Sequence, residues 1–106
     1  MEDNAIVIAD RDGVIRFWSV GAEKAFGHAA AQAVGRTLDL IVPADYRQAH
    51  WVGFRRAVQS GSAAAEGQVT PFPVLHANGD VEPAPARLTL VREGQGRVIA
   101  AMVVFN

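Results

Sequence analysis

Histidine is the residue type of this chain best suited to chemistry, and it occurs three times, at His28, His50 and His76. Imidazole is a good ligand for iron and for other transition metals. His50 falls within the longest helical pattern, with the small residues Ala49 and Gly53 beside it, so a flat ring can approach the helix there. Spacing alone favours a simpler interpretation, a hydrogen-bonded histidine of the core. His50 is therefore a candidate ligand that needs support from the rest of the sequence.

The other two histidines are weaker candidates. His28 stands at the end of a predicted helix, where a histidine complements the helix dipole, and we expect it to be exposed. His76 lies beside the Asn78-Gly79 turn, and we expect it to face solvent. The alternative is that His76 is a second iron ligand.

Composition excludes several kinds of site. The chain has no cysteine, so disulfides, thiolate metal sites, thiol nucleophiles and covalently attached haem are all excluded. It also lacks a Ser/His/Asp set, a paired carboxylate array, a phosphate-binding glycine loop and a His-Glu-x-x-His motif. We therefore expect a protein that is not an enzyme.

Charge and length narrow the class further. The net charge is −1, from 10 basic and 11 acidic residues, and no basic run is present, so nucleic acid is not an expected partner. No apolar run approaches the about 20 residues of a membrane span, and the acidic start lacks a signal-peptide pattern. We expect a cytoplasmic protein with one domain, over residues 1–106.

Hydrophobic alternation and turn signals predict strands at both ends of the chain. Asp12-Gly13 and Asn78-Gly79 are hairpin turns flanked by apolar runs. Pro71 and Pro73 restrict their strand to an edge of the sheet, because proline cannot donate to a ladder. The last strand is apolar enough to be central. The predicted strands are 5–9, 14–18, 67–75, 81–92 and 98–105.

Helical patterns lie between the second and third strands. Two short helices are predicted at 21–26 and 29–34, and a long one at 44–60 that Pro43 starts and Gly61 ends. The long helix has a stripe that we expect to face inward. Its members are Tyr46, His50, Gly53, Phe54 and Ala57. The order of elements predicts an α+β fold, with an antiparallel sheet and helices on one face.

Four short motifs together resemble those of PAS sensor domains over essentially the whole chain. They are IADRDGVI at 8–15, GAEKAFG at 21–27, VGR at 34–36 and LIVP at 40–43. The resemblance implies a five-stranded antiparallel sheet in the order 2-1-5-4-3, with the last strand central. Ser19 departs from the family pattern, which often has asparagine there, and we expect it to weaken a common polar contact. Photoactive flavin-binding relatives rely on a cysteine that this chain lacks.

The segment VPADYRQAH at 42–50 is similar to the one that carries the iron-binding histidine in haem PAS domains of oxygen-sensing kinases and gas-regulated phosphodiesterases. This resemblance implies b-type haem as cofactor, with His50 as the iron ligand and Arg56 beside a propionate. Apolar residues from several elements are expected to wall the haem pocket. These are Ile6, Ile8, Leu40, Ile41, Phe54, Leu88 and Met102.

The opposite side of the expected haem departs from the gas-sensor pattern. Thr70 and Gln68 stand where those sensors carry an arginine or a methionine. Gln68 is a hydrogen-bond donor and Thr70 a weaker one, so both remain candidates for contact with a gas. Without the arginine, the pocket should favour oxygen less than it does in arginine-bearing sensors, and carbon monoxide depends less on that donor. The expected ligand is a diatomic gas, namely oxygen, carbon monoxide or nitric oxide.

A different interpretation remains open. The domain is then haem-free, its pocket is filled by its own side chains or by another small ligand, and its function is dimerisation or docking through the sheet. Under both interpretations we expect the chain to form a homodimer. We also expect it to act on an output domain or a partner protein that lies outside this chain.

Overall fold

The computed structural model describes residues 4–105, which form a five-stranded antiparallel sheet with helices on one face. The strand order is β2-β1-β5-β4-β3, which confirms the predicted order with the last strand central. The strands are β1 (Ala5–Asp10), β2 (Ile15–Trp18), β3 (Val69–Leu75), β4 (Val81–Arg92) and β5 (Val98–Phe105). The helices are α1 (Val20–Phe26), α2 (Ala30–Ala33) and α3 (Arg47–Ser60), with 3-10 turns at Leu38–Leu40 and Ala44–Tyr46.

The β1–β2 hairpin is built around one carboxylate and one glycine. Asp10 Oδ1 accepts hydrogen bonds from the backbone N–H groups of Asp12, at 2.9 Å, and Val14, at 3.1 Å. Gly13 has φ of +79°, a left-handed conformation that other residues rarely adopt. A Cβ at this position would overlap the ring of Trp51, so the turn lies directly against α3.

Prolines shape the β3–β4 hairpin, and β3 lies at the sheet edge as predicted. Pro71 is paired with Pro85, and Pro73 with Pro83. Since proline has no N–H, these positions do not donate ladder hydrogen bonds. The two prolines of β4 precede the segment Ala86–Arg92, which is the part of β4 paired with the central β5. The prolines therefore cost the centre of the sheet no hydrogen bonds.

Ser19 caps α1 and links it to β1. Its Oγ accepts from the backbone N–H of Ala22, at 3.1 Å, and from that of Ile6, at 2.8 Å. The same hydroxyl donates to the carbonyl of Asn4, at 3.1 Å. The polar contact expected to weaken at this position is present, because a serine at an N-cap satisfies the helix as asparagine would.

The strand register assigns each side chain to one of two sheet faces. Ala5, Val7 and Ala9 are buried and point to the inner face, which carries the helices, whereas Ile6 and Ile8 point to the outer face. The main core lies between the inner face, α1 and α2. A smaller cluster lies under the C-terminal half of α3 and consists of Ala57, Leu90, Val98 and Ala101. None of the helices within residues 4–105 is long and apolar enough to cross a bilayer.

Candidate functional site

His50 lies on α3 with its ring partly buried, and one of its nitrogens has no partner. Within residues 4–105, Nδ1 of His50 is the one buried side-chain nitrogen or oxygen that makes no hydrogen bond. Nearly all buried polar atoms in folded proteins are hydrogen-bonded, so an orphaned one indicates strain, function or a missing partner. His50 is consequently the most unusual polar group of the described chain.

Two opposing effects set the charge of His50. Burial lowers the pKa of the imidazole, and the carboxylate of Asp39 raises it in part, with a net value below the ordinary one. The imidazole is therefore neutral at pH 7. Neutral imidazole is the form that binds metals.

Two aromatic rings flank His50. The indole of Trp51 meets it edge-on, with centroids 4.9 Å apart and planes at 75°, and the ring of Phe54 lies at 5.9 Å and 32°. Trp51 Nε1 donates a hydrogen bond of 2.7 Å to Asp39 Oδ1. Trp51 and Phe54 both pack against the main core, which places His50 at the margin of that core.

The predicted inward stripe of the long helix was wrong for two of its members. Tyr46 and Gly53 are exposed, and a Cβ added to Gly53 would meet no atom within 4 Å. At 100° per residue, the covered face of α3 is centred on Phe54, with Trp51 on one flank and His50 on the other. The face of α3 that runs from His50 to Gly53 is therefore open to solvent.

Part of the inner sheet face is also uncovered. Phe72 on β3 is 38% exposed, although the register places it on the same face as Thr70 and the buried Val74. Leu88 on β4 shares that face and is half-buried. Thr70, also half-buried, is paired with Ala86.

The remaining predicted site residues are exposed. Gln68 precedes β3, in the turn after α3, and its side chain is open to solvent. Arg56 is exposed on α3, about 120° around the helix from His50. Phe54, His50, Thr70 and Leu88 thus belong to the interior, whereas Gln68 and Arg56 lie at its surface.

Three of the expected wall residues lie on the wrong side of the sheet. Ile8 is paired with Met102, and both share the outer face with Ile6, so none of the three can line a pocket between α3 and the sheet. β1 is apolar at five consecutive positions, and alternation therefore gave no sign of which residues face inward. Leu40 and Ile41 pack against the main core, and their predicted place in the wall of a haem pocket stays a prediction.

The prediction that His28 and His76 face solvent was also wrong, because both are half-buried. His28 lies edge-on to Trp18 at 6.1 Å, and His76 edge-on to Phe26 at 5.5 Å. Burial, followed by the nearby charge of Arg36, lowers the pKa of His28. No group of three His, Asp or Glu side chains within the described part of the chain is arranged to hold a metal ion.

A polar groove of about 430 Å³ lies on the Trp51 side of α3, where the helix meets the β1–β2 hairpin. It is lined by Arg11, Asp12, Thr37, Asp39, Trp51, Phe54 and Arg55. His50 does not line this groove, so the two flanks of α3 differ: the Trp51 flank forms a polar groove, and the flank of His50 and Gly53 is open.

Two curated proteins are similar to this chain in sequence. An uncharacterized protein of Azorhizobium caulinodans is 32% identical over 101 residues, which are 94% of this chain and 14% of that protein. The oxygen sensor protein DosP of Escherichia coli is 33% identical over 63 residues, which are 59% of this chain and 8% of that protein. The chain thus spans a small part of the length of either relative.

Solved structures show the same fold. The PAS domain of a protein from Colwellia psychrerythraea superposes with a TM-score of 0.80 at 19% identity, over 97% of this chain and 84% of that one. The PAS domain of the RpfR quorum-sensing receptor of Cronobacter turicensis, in complex with BDSF, has a TM-score of 0.77 at 17% identity, over 100% and 94% of the two chains. At these identities the likeness concerns the fold alone.

The family model described as PAS fold matches residues 2–106, which is almost the entire sequence. That match agrees with the strand order and with the position of the helices on one sheet face. The chain belongs to the PAS fold family, whose members are in general sensory modules.

Proposed function

We propose that this signal-sensing PAS domain binds b-type haem through His50 and responds to a diatomic gas. The observation that carries the proposal is the imidazole of His50, which is neutral and partly buried, with Nδ1 enclosed and Nε2 left open. The inner sheet face, which the helices leave uncovered at Phe72, offers further apolar surface.

The residues around His50 suit a flat apolar cofactor. Nε2 of His50 is not enclosed as Nδ1 is, so it is the nitrogen available to a ligand. Gly53 leaves open space on the same flank of α3. Phe54 and Leu88 supply apolar surface, and haem iron is commonly held by one histidine. Haem would supply the iron centre at which a diatomic gas binds.

The gas would meet the polar groups of the β3 side. Thr70 is on the inner face and half-buried, so its hydroxyl can donate a hydrogen bond into the interior. Gln68 is exposed in this structure and reaches the interior only if the turn before β3 moves. We therefore assign to Thr70, and not to Gln68, the hydrogen bond to the bound gas. Arg56, also exposed, would pair with a propionate at the surface, where arginine binds carboxylates well.

The similarity to DosP supports this assignment, because that protein is an oxygen sensor and the matched segment covers 59% of this chain. It does not identify the gas. We infer a pocket less selective for oxygen than one with a charged donor, since hydrogen bonds from neutral groups are weaker than those from charged ones.

Replacement of the proposed ligand tests haem binding directly. Purified protein is mixed with hemin, and the Soret band is recorded in the oxidised and reduced states. We expect His50→Ala to lose the sharp Soret band of the wild type, while His28→Ala and His76→Ala, which remove the other two imidazoles, retain it. A full band in His50→Ala would reject His50 as the ligand.

A second candidate function is a haem-free interaction module, and the outer sheet face favours it. Phe17 is 45% exposed there and shares the face with its cross-strand neighbour Ile8 and with Met102. Apolar surface of this kind is typical of protein-binding faces. A wild-type protein that remains colourless with hemin and forms a homodimer by analytical ultracentrifugation would favour this function. BDSF, the ligand in the RpfR complex, is then the next compound to test.

A further inference from the structure

We infer that Asp39 is a positioning residue for His50 and that it acts through the indole of Trp51. The inference rests on the proposed function, because it assigns a role beside the same imidazole. It differs from that proposal in concerning residues that need not touch any ligand. Asp39 and Trp51 face the polar groove, on the flank of α3 away from the open side.

The first link is the hydrogen bond from Trp51 Nε1 to Asp39 Oδ1, at 2.7 Å. A bond of that length to a carboxylate is charge-assisted and stronger than one between neutral groups. It determines which way the indole faces, because tryptophan has a single N–H to donate.

The opposite end of the indole is held by Gly13. A Cβ at Gly13 would overlap Cη2 and Cζ3 of Trp51, so the turn backbone is in direct contact with the six-membered ring. The ring is thus fixed at both ends, by a backbone contact at one and by a hydrogen bond at the other. A side chain fixed in this way has one orientation available to it.

The second link is the edge-on contact of Trp51 with His50, at 4.9 Å and 75° between ring planes. Phe54 occupies another side of the imidazole, at 5.9 Å. Nδ1 of His50 has no hydrogen bond to orient the ring, a role that a carbonyl or carboxylate plays for most metal-binding histidines. Packing against Trp51 therefore replaces the usual hydrogen bond as the constraint on His50.

Asp39 is itself anchored from the helix. Arg47 Nη2 donates to the carbonyl of Asp39, at 3.2 Å, and Arg47 Nε donates to that of Val42, at 3.0 Å. These bonds tie the turn that carries Asp39 to the first turn of α3. The Asp39 carboxylate also acts on His50 through space, opposing the effect of burial on the imidazole.

Three variants separate the hydrogen bond from the charge. Asp39→Ala removes both, and Asp39→Asn keeps an acceptor oxygen for Trp51 but removes the charge. Trp51→Phe keeps a ring beside His50 and removes the N–H. Asp45→Asn is the matched control, because Asp45 is an exposed carboxylate that precedes the same helix.

Two readouts are measured on each variant: nuclear Overhauser contacts between the rings of residues 50 and 51 in protein without haem, and the dissociation constant for hemin. We expect Asp39→Ala and Trp51→Phe to weaken the ring contacts and to raise the dissociation constant about tenfold or more, the usual effect of losing an outer partner of a ligand. Asp39→Asn and Asp45→Asn should keep both values near those of the wild type. Asp39→Asn and Asp39→Ala should both raise the midpoint reduction potential, because each removes a negative charge that favours the more oxidised iron, whereas Trp51→Phe should not.

Wild-type ring contacts and hemin affinity in both Asp39→Ala and Trp51→Phe would overturn the inference. An equal loss in Asp39→Asn would also overturn it, because the effect would then come from charge and not from the hydrogen bond. If Asp39→Ala does not fold, the milder Trp51→Phe decides. A wild-type protein that binds no hemin rejects the proposed function, whereas the ring contacts still decide whether Asp39 positions His50.

Discussion

The two halves of this domain are packed to different degrees. In the half formed by β1, β2, α1 and α2, the large core side chains of Val7, Ile15, Trp18 and Phe26 are at most 4% exposed. In the half formed by α3 and β3, the 14-residue helix buries only Ala57 and the strand buries only Val74. We call these the closed half and the open half. The closed half supplies a complete core, and the open half retains surface that a ligand can cover.

This difference separates stability from binding. Burial of large apolar side chains is the main favourable term in folding, so the closed half should carry most of the free energy of unfolding. The open half includes His50 and the uncovered Phe72, which suits a site that gains a ligand at little cost to the core. Matched substitutions in the two halves test that division.

Truncation of one phenylalanine in each half gives the widest contrast. Phe26 is 3% exposed and packs against Trp18 and Phe105, so Phe26→Ala should lower the free energy of unfolding by about 3–5 kcal/mol. Phe72 is 38% exposed, so Phe72→Ala should cost about 1 kcal/mol or less. Urea denaturation measures both. Equal losses would contradict the division into a closed and an open half.

The contact between the β1–β2 turn and α3 is tested by two glycines with similar backbone conformations. Gly13 has φ of +79° and would carry its Cβ into Trp51, whereas Gly35 has φ of +95° and no atom within 4 Å of the added Cβ. Both alanine variants bear the left-handed strain, about 1–2 kcal/mol. Gly13→Ala should lose about 1–3 kcal/mol more, from overpacking. The difference between their denaturation midpoints isolates the Trp51 contact, and its absence would show that the ring is free to move.

One serine in each half tests the value of the cap on α1. Ser19→Ala removes an oxygen that accepts from Ala22 and Ile6, and should cost about 1 kcal/mol. Ser62→Ala removes an exposed hydroxyl in the turn after α3, where Ser62 uses only its backbone for the hydrogen bonds described. Its effect on thermal stability should be negligible. A loss as large as that of Ser19→Ala would indicate that the turn after α3 is more ordered than its exposure implies.

The hairpin carboxylate of the closed half makes stability depend on pH. Burial would raise the pKa of Asp10, but hydrogen bonds from Val14, Arg16 and Asp12 outweigh it and lower the value. A lowered pKa in the folded state contributes stability above the unfolded value of about 4, and that contribution is lost as pH falls through the folded pKa. The stability advantage of the wild type over Asp10→Asn should therefore shrink between about pH 6 and about pH 3. Denaturation midpoints of the wild type and of Asp10→Asn across that range measure this change. A difference between the two proteins that does not vary with pH would show that the pKa of Asp10 is not lowered by folding.

Much of the fold could be predicted from the sequence, because its signals are local. The Asp-Gly and Asn-Gly turns fix two hairpins, and the proline pairs place one strand at an edge. The resemblance to PAS domains then supplies the strand order, which local signals do not. What local patterns could not give is orientation. β1 is apolar on both faces, so Ile6 and Ile8 could not be assigned to a side, and their position follows from pairing with β5.

The candidate site shows the same limit at finer scale. His50 was found because imidazole is chemically distinctive, and its helix was bounded correctly by Gly61. The hydrogen bond between Asp39 and Trp51 could not be predicted, because the two residues are 12 positions apart. They meet only because a 3-10 turn packs against α3. The stripe prediction failed at Tyr46 because a 3-10 turn precedes α3 there and breaks the helical phase.

The paired prolines of β3 and β4 have one more effect, on what this protein can associate with. An edge strand normally offers a row of free N–H and C=O groups to which a neighbouring molecule can add its own strand. On β3, Pro71 and Pro73 deprive that row of donors at alternate positions. Continuous strand addition, and the fibrillar aggregation that it can seed, is therefore blocked along this margin, and molecules that assemble must meet through side chains.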